Sequence, residues 1–117
     1  MAASPKSAFP STETVSHIAT MLKAMGDPLR LRILYHLRQR EYSVSELVEE
    51  LGCSQANVSK HLAILKAAAL VESRTDKQSR LYHVTDPVVD SVCDSVCGSV
   101  EKRFGKRKSQ NRPTKAK

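Results

Sequence analysis

The stretch Ser43-Val44-Ser45-Glu46-Leu47-Val48-Glu49-Glu50-Leu51-Gly52-Cys53-Ser54-Gln55-Ala56-Asn57-Val58-Ser59-Lys60-His61-Leu62-Ala63-Ile64-Leu65-Lys66 decides the fold. Its first four residues have the spacing of a capping box, in which Ser43 caps the helix start and Glu46 reaches back to the cap. Val44, Leu47, Val48 and Leu51 then recur at three- and four-residue steps, the signature of one buried helix face. Gly52 ends that helix, because glycine accepts the left-handed backbone of a helix terminus. Ser54 caps a second helix through Lys66, with Val58, Leu62 and Leu65 inward. Two short helices joined by a three-residue turn holding Gly52 read as a helix-turn-helix.

Working toward the N-terminus, Asp27-Pro28 opens a helix that buries Leu29, Ile33, Leu34 and Leu37, with Asp27 as cap and Pro28 at the first position. Arg30, Arg32 and Arg38 are expected to project from it. Val15, Ile18, Ala19, Leu22 and Met25 mark an earlier amphipathic helix from Thr14, closed by Gly26. Working toward the C-terminus, the period changes from helical to alternating. Leu70 to Thr75 and Arg80 to Val84 read as two strands around the polar turn Asp76-Lys77-Gln78-Ser79, a hairpin that makes the motif winged. Asp86-Pro87 starts a last helix to about Phe104, with Val89, Val92, Cys93, Val96 and Val100 as a near-heptad seam suited to dimerisation. The predicted architecture is mainly α with a small β-hairpin, a winged helix-turn-helix homodimer over residues 13–104. A flexible N-terminal arm (residues 1–12) and a basic disordered tail (residues 105–117) flank it.

The chain has 117 residues and a formal net charge of +7, from 19 basic and 12 acidic side chains. That length suits one domain with a modest core. The excess charge is local: eight basic residues follow Glu101, and the rest of the chain holds 11 basic against 12 acidic. No apolar run approaches the ~20 residues of a membrane span, so no membrane partner is expected and a cytoplasmic protein is. Three cysteines form an odd set without an export signal, so they read as thiols rather than a disulfide scaffold. No nucleophile–base pair, phosphate loop or catalytic metal spacing points to an enzyme.

Ser54, Gln55, Asn57, Ser59, Lys60 and His61 fall on the outer and lateral faces of the second helix of the pair. Gln and Asn pair bidentately with adenine in the major groove, and Ser, Lys and His reach base edges or phosphates. Arg74, Lys77 and Arg80 bring positive charge to the hairpin. Together these residues form the candidate surface for double-stranded operator DNA. Three segments in the same order resemble the ArsR/SmtB family of prokaryotic arsenic- and metal-responsive repressors. They are Ala24-Met25-Gly26-Asp27-Pro28-Leu29-Arg30-Leu31-Arg32-Ile33-Leu34, the helix from Ser54 to Lys66, and the wing from Leu70-Val71 to Arg80-Leu81-Tyr82. The resemblance covers roughly residues 15–100. It implies a homodimer paired through the first and last helices that represses an operator until an inducer releases it.

The family's familiar arsenic site, a Cys-x-Cys-x-x-Cys run, has Ser43, Ser45 and Val48 at the matching positions, so it is absent. The zinc-type site of the last helix has Asp86, Asp90 and Asp94, but no His follows His83. What remains is Cys93-x-x-x-Cys97, two thiols on one helical face with Cβ atoms about 5–6 Å apart. That gap strains a disulfide, which prefers Cβ separations of about 3.5–4.5 Å. A soft ion spans it, so As(III) or Sb(III) is the expected inducer, with Cys53, a partner-chain thiol or an oxygen as third ligand. Two alternatives stay open: a thiol redox or persulfide sensor on the same fold, and a thiol-based metal-buffering protein.

Overall fold

Every helix begins where a side chain supplies an acceptor for the free backbone N–H groups of its first turn. The computed structural model describes residues 8–105. Ser11 Oγ accepts from Thr14 N (3.1 Å) and starts α1, Thr12–Met25. Asp27 Oδ2 accepts from Leu29 N and Arg30 N (3.0 and 3.1 Å) ahead of α2, Pro28–Leu37. The Ser43–Glu46 capping box starts α3, Val44–Leu51, and Gly52 closes it at φ 69°. Ser54 Oγ accepts from Asn57 N (3.1 Å) at the head of α4, Gln55–Ala67. Asp86 Oδ1 accepts from Val88 N (3.0 Å) before α5, Val88–Phe104.

Three antiparallel strands complete the fold: β1 (Tyr42–Ser43), β2 (Val71–Asp76) and β3 (Ser79–Val84), in the order β1-β3-β2. Asp76 pairs with Ser79, so the wing turns on Lys77 and Gln78 alone, with Lys77 at φ 59°. Tyr42 pairs with Tyr82 and ties the root of the wing to the start of α3. The core gathers Ile33 and Leu34 of α2, Leu47 of α3, Val58, Leu62 and Leu65 of α4, then Leu70, Val71 and Val89, all essentially without solvent contact.

The winged helix-turn-helix read from the sequence is the observed architecture, with four differences. A third strand, β1, joins the hairpin. The first helix starts at Thr12 rather than Thr14, because Ser11 caps it, which shortens the arm assigned to residues 1–12. Arg30 and Arg38 do not project: both are drawn into contacts with other helices. Only Val89 and Cys93 of the α5 seam are buried, whereas Val96 and Val100 stand about half exposed at 54% and 47%. Of the basic tail assigned to residues 105–117, residues 106–117 lie outside the described residues, as do residues 1–7 of the arm. Among the described residues, no helix is long and apolar enough to cross a membrane.

Candidate nucleic-acid interface and thiol pair

The back of α4 is sealed by Val58, Leu62 and Leu65, which turns Gln55, Asn57, Ser59 and Lys60 outward. Ser54, Gln55, Asn57, Ser59 and Lys60 are all exposed there, as the sequence reading requires. The Ser54 hydroxyl spends its acceptor on the Asn57 N–H and keeps its own proton free to donate. His61 is the exception. The sequence reading sets it with the DNA-facing residues, but its side chain turns inward at 9% exposure, with Nδ1 2.9 Å from Nη1 of Arg30. Position 61 lies three residues after Val58 and four before Leu65, which is the inner stripe of this helix.

The wing carries less free charge than its sequence suggests. Arg74 forms a two-pronged ion pair with Glu41, Nε to Oε2 at 2.8 Å and Nη2 to Oε1 at 2.7 Å. The guanidinium holds the Glu41 carboxyl below the usual carboxylate range, and the carboxylate raises the Arg74 pKa in return. Arg80 and Lys66 both donate to the Ser73 hydroxyl, at 3.1 and 3.3 Å. Among the described residues, Lys60 on α4 and Lys77 at the turn make no ion pair or side-chain hydrogen bond, and both are exposed.

The thiol pair lies on α5, facing α2. Cys93 is buried at 4% exposure, and that burial pushes its thiol pKa up, partly offset by Arg38 nearby. Cys97 is half-buried, and its Sγ donates to Oε2 of Glu101 at 3.5 Å. Both thiols line a cleft of about 530 Å³ whose other walls include Leu22, Met25, Leu31, Tyr35 and Val96. Burial, with the two thiols close by, raises the Tyr35 hydroxyl pKa. Arg38, at the end of α2, brackets Cys93 by donating to Asp90 Oδ1 (2.6 Å) and Asp94 Oδ1 (2.8 Å).

Cys53 does not join the pair. It packs against the core beside the turn, with Sγ 3.6 Å from the Leu51 carbonyl. Among the described residues, no three His, Cys, Asp or Glu side chains are grouped to hold a metal ion. Cys93 and Cys97 thus place two sulfurs along one helix face, with the Glu101 carboxylate beside Cys97. The contacts of Glu41, Arg30, Arg38 and Tyr35 escaped the sequence reading, because each joins residues distant along the chain.

Residues 27–73, the span from the α2 cap to the first residues of β2, match the model of the bacterial regulatory protein family arsR. The chain is 31% identical over 71 residues to the biofilm growth-associated repressor of Xylella fastidiosa, covering 61% of this chain and 62% of that protein. The match thus spans about three-fifths of that curated relative. Among solved structures, NolR from Sinorhizobium fredii is 31% identical with a TM-score of 0.67, over 92% of this chain and 99% of that one. A homodimeric winged helix-turn-helix DNA-binding domain from Mycobacterium bovis is 25% identical with a TM-score of 0.73, over 83% and 93% of the two chains. The capped helix-turn-helix, the wing and these likenesses together establish that the chain belongs to the ArsR family of bacterial regulatory proteins.

Proposed function

We propose that this protein is a dimeric cytoplasmic repressor that binds operator DNA through α4 and the wing. A trivalent arsenic or antimony ion bound at Cys93 and Cys97 releases it. The observation that carries the DNA reading is the two-sided α4: a fully buried apolar back and an exposed front of Gln55, Asn57, Ser59 and Lys60. A helix of this kind enters the major groove with its first turns at the base edges, while Lys77, Arg80 and the unpaired part of the wing meet phosphates. Exposed apolar residues on α1 and α5 support pairing of two chains through those helices, as does the likeness to a homodimeric domain.

The inducer reading rests on two thiols at one helical face beside an apolar cleft. Thiolates select soft ions, and As(III) commonly takes three sulfurs, so a thiol of the partner chain or an oxygen completes the site. The test is a gel shift of the full chain on its own upstream DNA, challenged with As(III), Sb(III), Cd(II) and Zn(II). A Cys93→Ser/Cys97→Ser double variant should bind the fragment like the natural protein and ignore As(III). Release of that variant by As(III) would refute the site. A persulfide signal is a second reading, favoured by the same gap, since inserted sulfur atoms lengthen a bridge that a plain disulfide strains to make. Mass spectrometry after treatment with an organic trisulfide separates the two, because only the second takes the donor's central sulfur into a Cys93–Cys97 bridge, the donor leaving as two reduced thiols that carry off the cysteine protons.

A further inference from the structure

Arg30 sits in the first turn of α2, and its guanidinium touches two other helices. Nε donates to the Ala24 carbonyl at 2.6 Å and Nη2 to the Lys23 carbonyl at 3.3 Å, both in the last turn of α1. Nη1 lies 2.9 Å from Nδ1 of His61 on α4. A guanidinium carries only donors, so Nδ1 must be the acceptor. His61 is therefore neutral, with its proton on Nε2.

Protonation changes this contact in two ways. The acceptor becomes an N–H pointed at another N–H, and a second cation stands against Arg30. The charged groups around the ring are Arg30 and Asp27 from the start of α2 and Lys60 on α4 itself, while α1 contributes the Lys23 and Ala24 carbonyls to the Arg30 end. Asp27 alone favours the charged ring.

We infer that Arg30 and neutral His61 form a positioning clasp that fixes the recognition helix to the end of α1, and that protonation of His61 opens it and weakens operator binding. This rests on the DNA-binding reading above. Burial first, then Arg30 and Lys60, hold the His61 pKa below its ordinary 6.5, against the pull of Asp27. A base with a lowered folded value contributes its full effect above that ordinary value. The effect is lost as pH falls through the lowered one. Phosphate attraction runs the other way, since every histidine that gains a proton adds positive charge. A loss of specific affinity in acid is thus the mark of the clasp.

The experiment measures anisotropy of the full chain on its own upstream duplex and on a scrambled duplex, at fixed ionic strength, from about pH 7.5 down to the pH at which nitrogen NMR shows the His61 ring protonated. The natural protein should lose about tenfold in specific affinity, the order a charge-assisted hydrogen bond carries, while scrambled-duplex binding holds or rises. His61→Asn offers an amide oxygen near the place of Nδ1 and does not titrate, so it should bind as the natural protein does at pH 7.5 and show no acid loss. Arg30→Met should be weak, by a similar factor, at both ends of the range. Nitrogen NMR of the His61 ring at neutral pH, which does not depend on DNA, should report the Nε2–H tautomer. Equal acid slopes for the natural protein and His61→Asn, or an Nδ1–H tautomer, would overturn the clasp. A natural protein that binds no upstream fragment at any pH would overturn the DNA reading, and with it the coupling to DNA, while the tautomer still judges the contact itself.

Discussion

Replacing Val96 with alanine tests the proposed dimer at the residue where one chain leaves the most seam uncovered. Val96 is 54% exposed on α5, and beside it across the cleft stands Leu22 of α1 at 51%, with Ile18 and Val15 one and two turns earlier at 44% and 48%. A valine-to-alanine change removes two methyl groups, each contributing about 0.8 kcal/mol when fully buried. Roughly half of that burial is already present within one chain, which leaves about 0.8 kcal/mol for the partner to supply. A two-fold interface contains the position twice, so the dimer should lose about 1.6 kcal/mol, a roughly fifteenfold rise in its dissociation constant. Sedimentation velocity over a concentration series reads that shift directly. Ile64→Ala is the control: Ile64 is 37% exposed but sits on α4, away from the cleft, and should leave the monomer–dimer balance alone. If Val96→Ala dissociates at the same concentration as the natural protein, or no dimer forms at all, the seam is not the interface.

Three further outcomes follow from the structure. On α4, Asn57→Ala should cost about 1–3 kcal/mol on the operator and relax sequence choice, whereas Lys60→Ala should weaken all duplexes alike and reduce the salt slope by about one; competition binding at several salt concentrations separates them. At the end of α4, Ala69 holds a left-handed backbone (φ 63°) while the Leu70 N–H closes on the Leu65 carbonyl, a terminus made for glycine. Ala69→Gly should therefore raise stability by about 0.5 kcal/mol, the relief of strain less the added chain entropy, measured by urea unfolding. Stability should also fall in acid in two steps. Burial keeps His61 below 6.5, so its contribution is complete above that pH and fades as pH drops through the lowered value. The carboxyls of Asp27, Glu41 and Glu46 are held below 3.8, 4.5 and 4.5 by the Arg30 N–H, the Arg74 guanidinium and the Ser43 N–H respectively. Their contribution is present above those values and lost only below them. Urea midpoints against pH should show both steps, and His61→Asn should abolish the upper one alone.

Local chemistry made most of the fold legible. Ser43 with Glu46, Gly52, Ser54 and Asp27 each act within four residues of themselves, so the caps and the turn could be read before any tertiary contact was known. β1 could not: two residues, Tyr42 and Ser43, show no period, and only the distant β3 makes them a strand. The pairing of the charged side chains is hidden from the sequence for the same reason. Arg38 meets Asp90 and Asp94 across 52 and 56 residues, and Arg74 meets Glu41 across 33. Charge counted along the chain therefore credits the wing with a free cation that Glu41 has neutralised. His61 is a different failure, since its position in the inner stripe of Val58, Leu62 and Leu65 was visible, and its polarity outweighed its place.

These distant pairs give α2 a role that neither candidate site records. Its first turn holds Arg30, which grips the end of α1 and His61 of α4. Its C-cap is Arg38, which grips the two aspartates on either side of Cys93 in α5. The seven residues between the two arginines set them about 12 Å apart along the helix, and Ile33, Leu34 and Leu37 bury that helix in the core. A close-packed element of this kind shifts as a body rather than yielding piece by piece. An ion drawn between Cys93 and Cys97 must share their helix face with the Asp90–Arg38–Asp94 clamp. A rotation of α5 would have a route to α2 through this ion pair, and from α2 to the recognition helix through Arg30. In the proposed repressor, the inducer then needs no contact with α4 to loosen its hold on DNA: the two arginines of α2 join the thiol pair to the recognition helix.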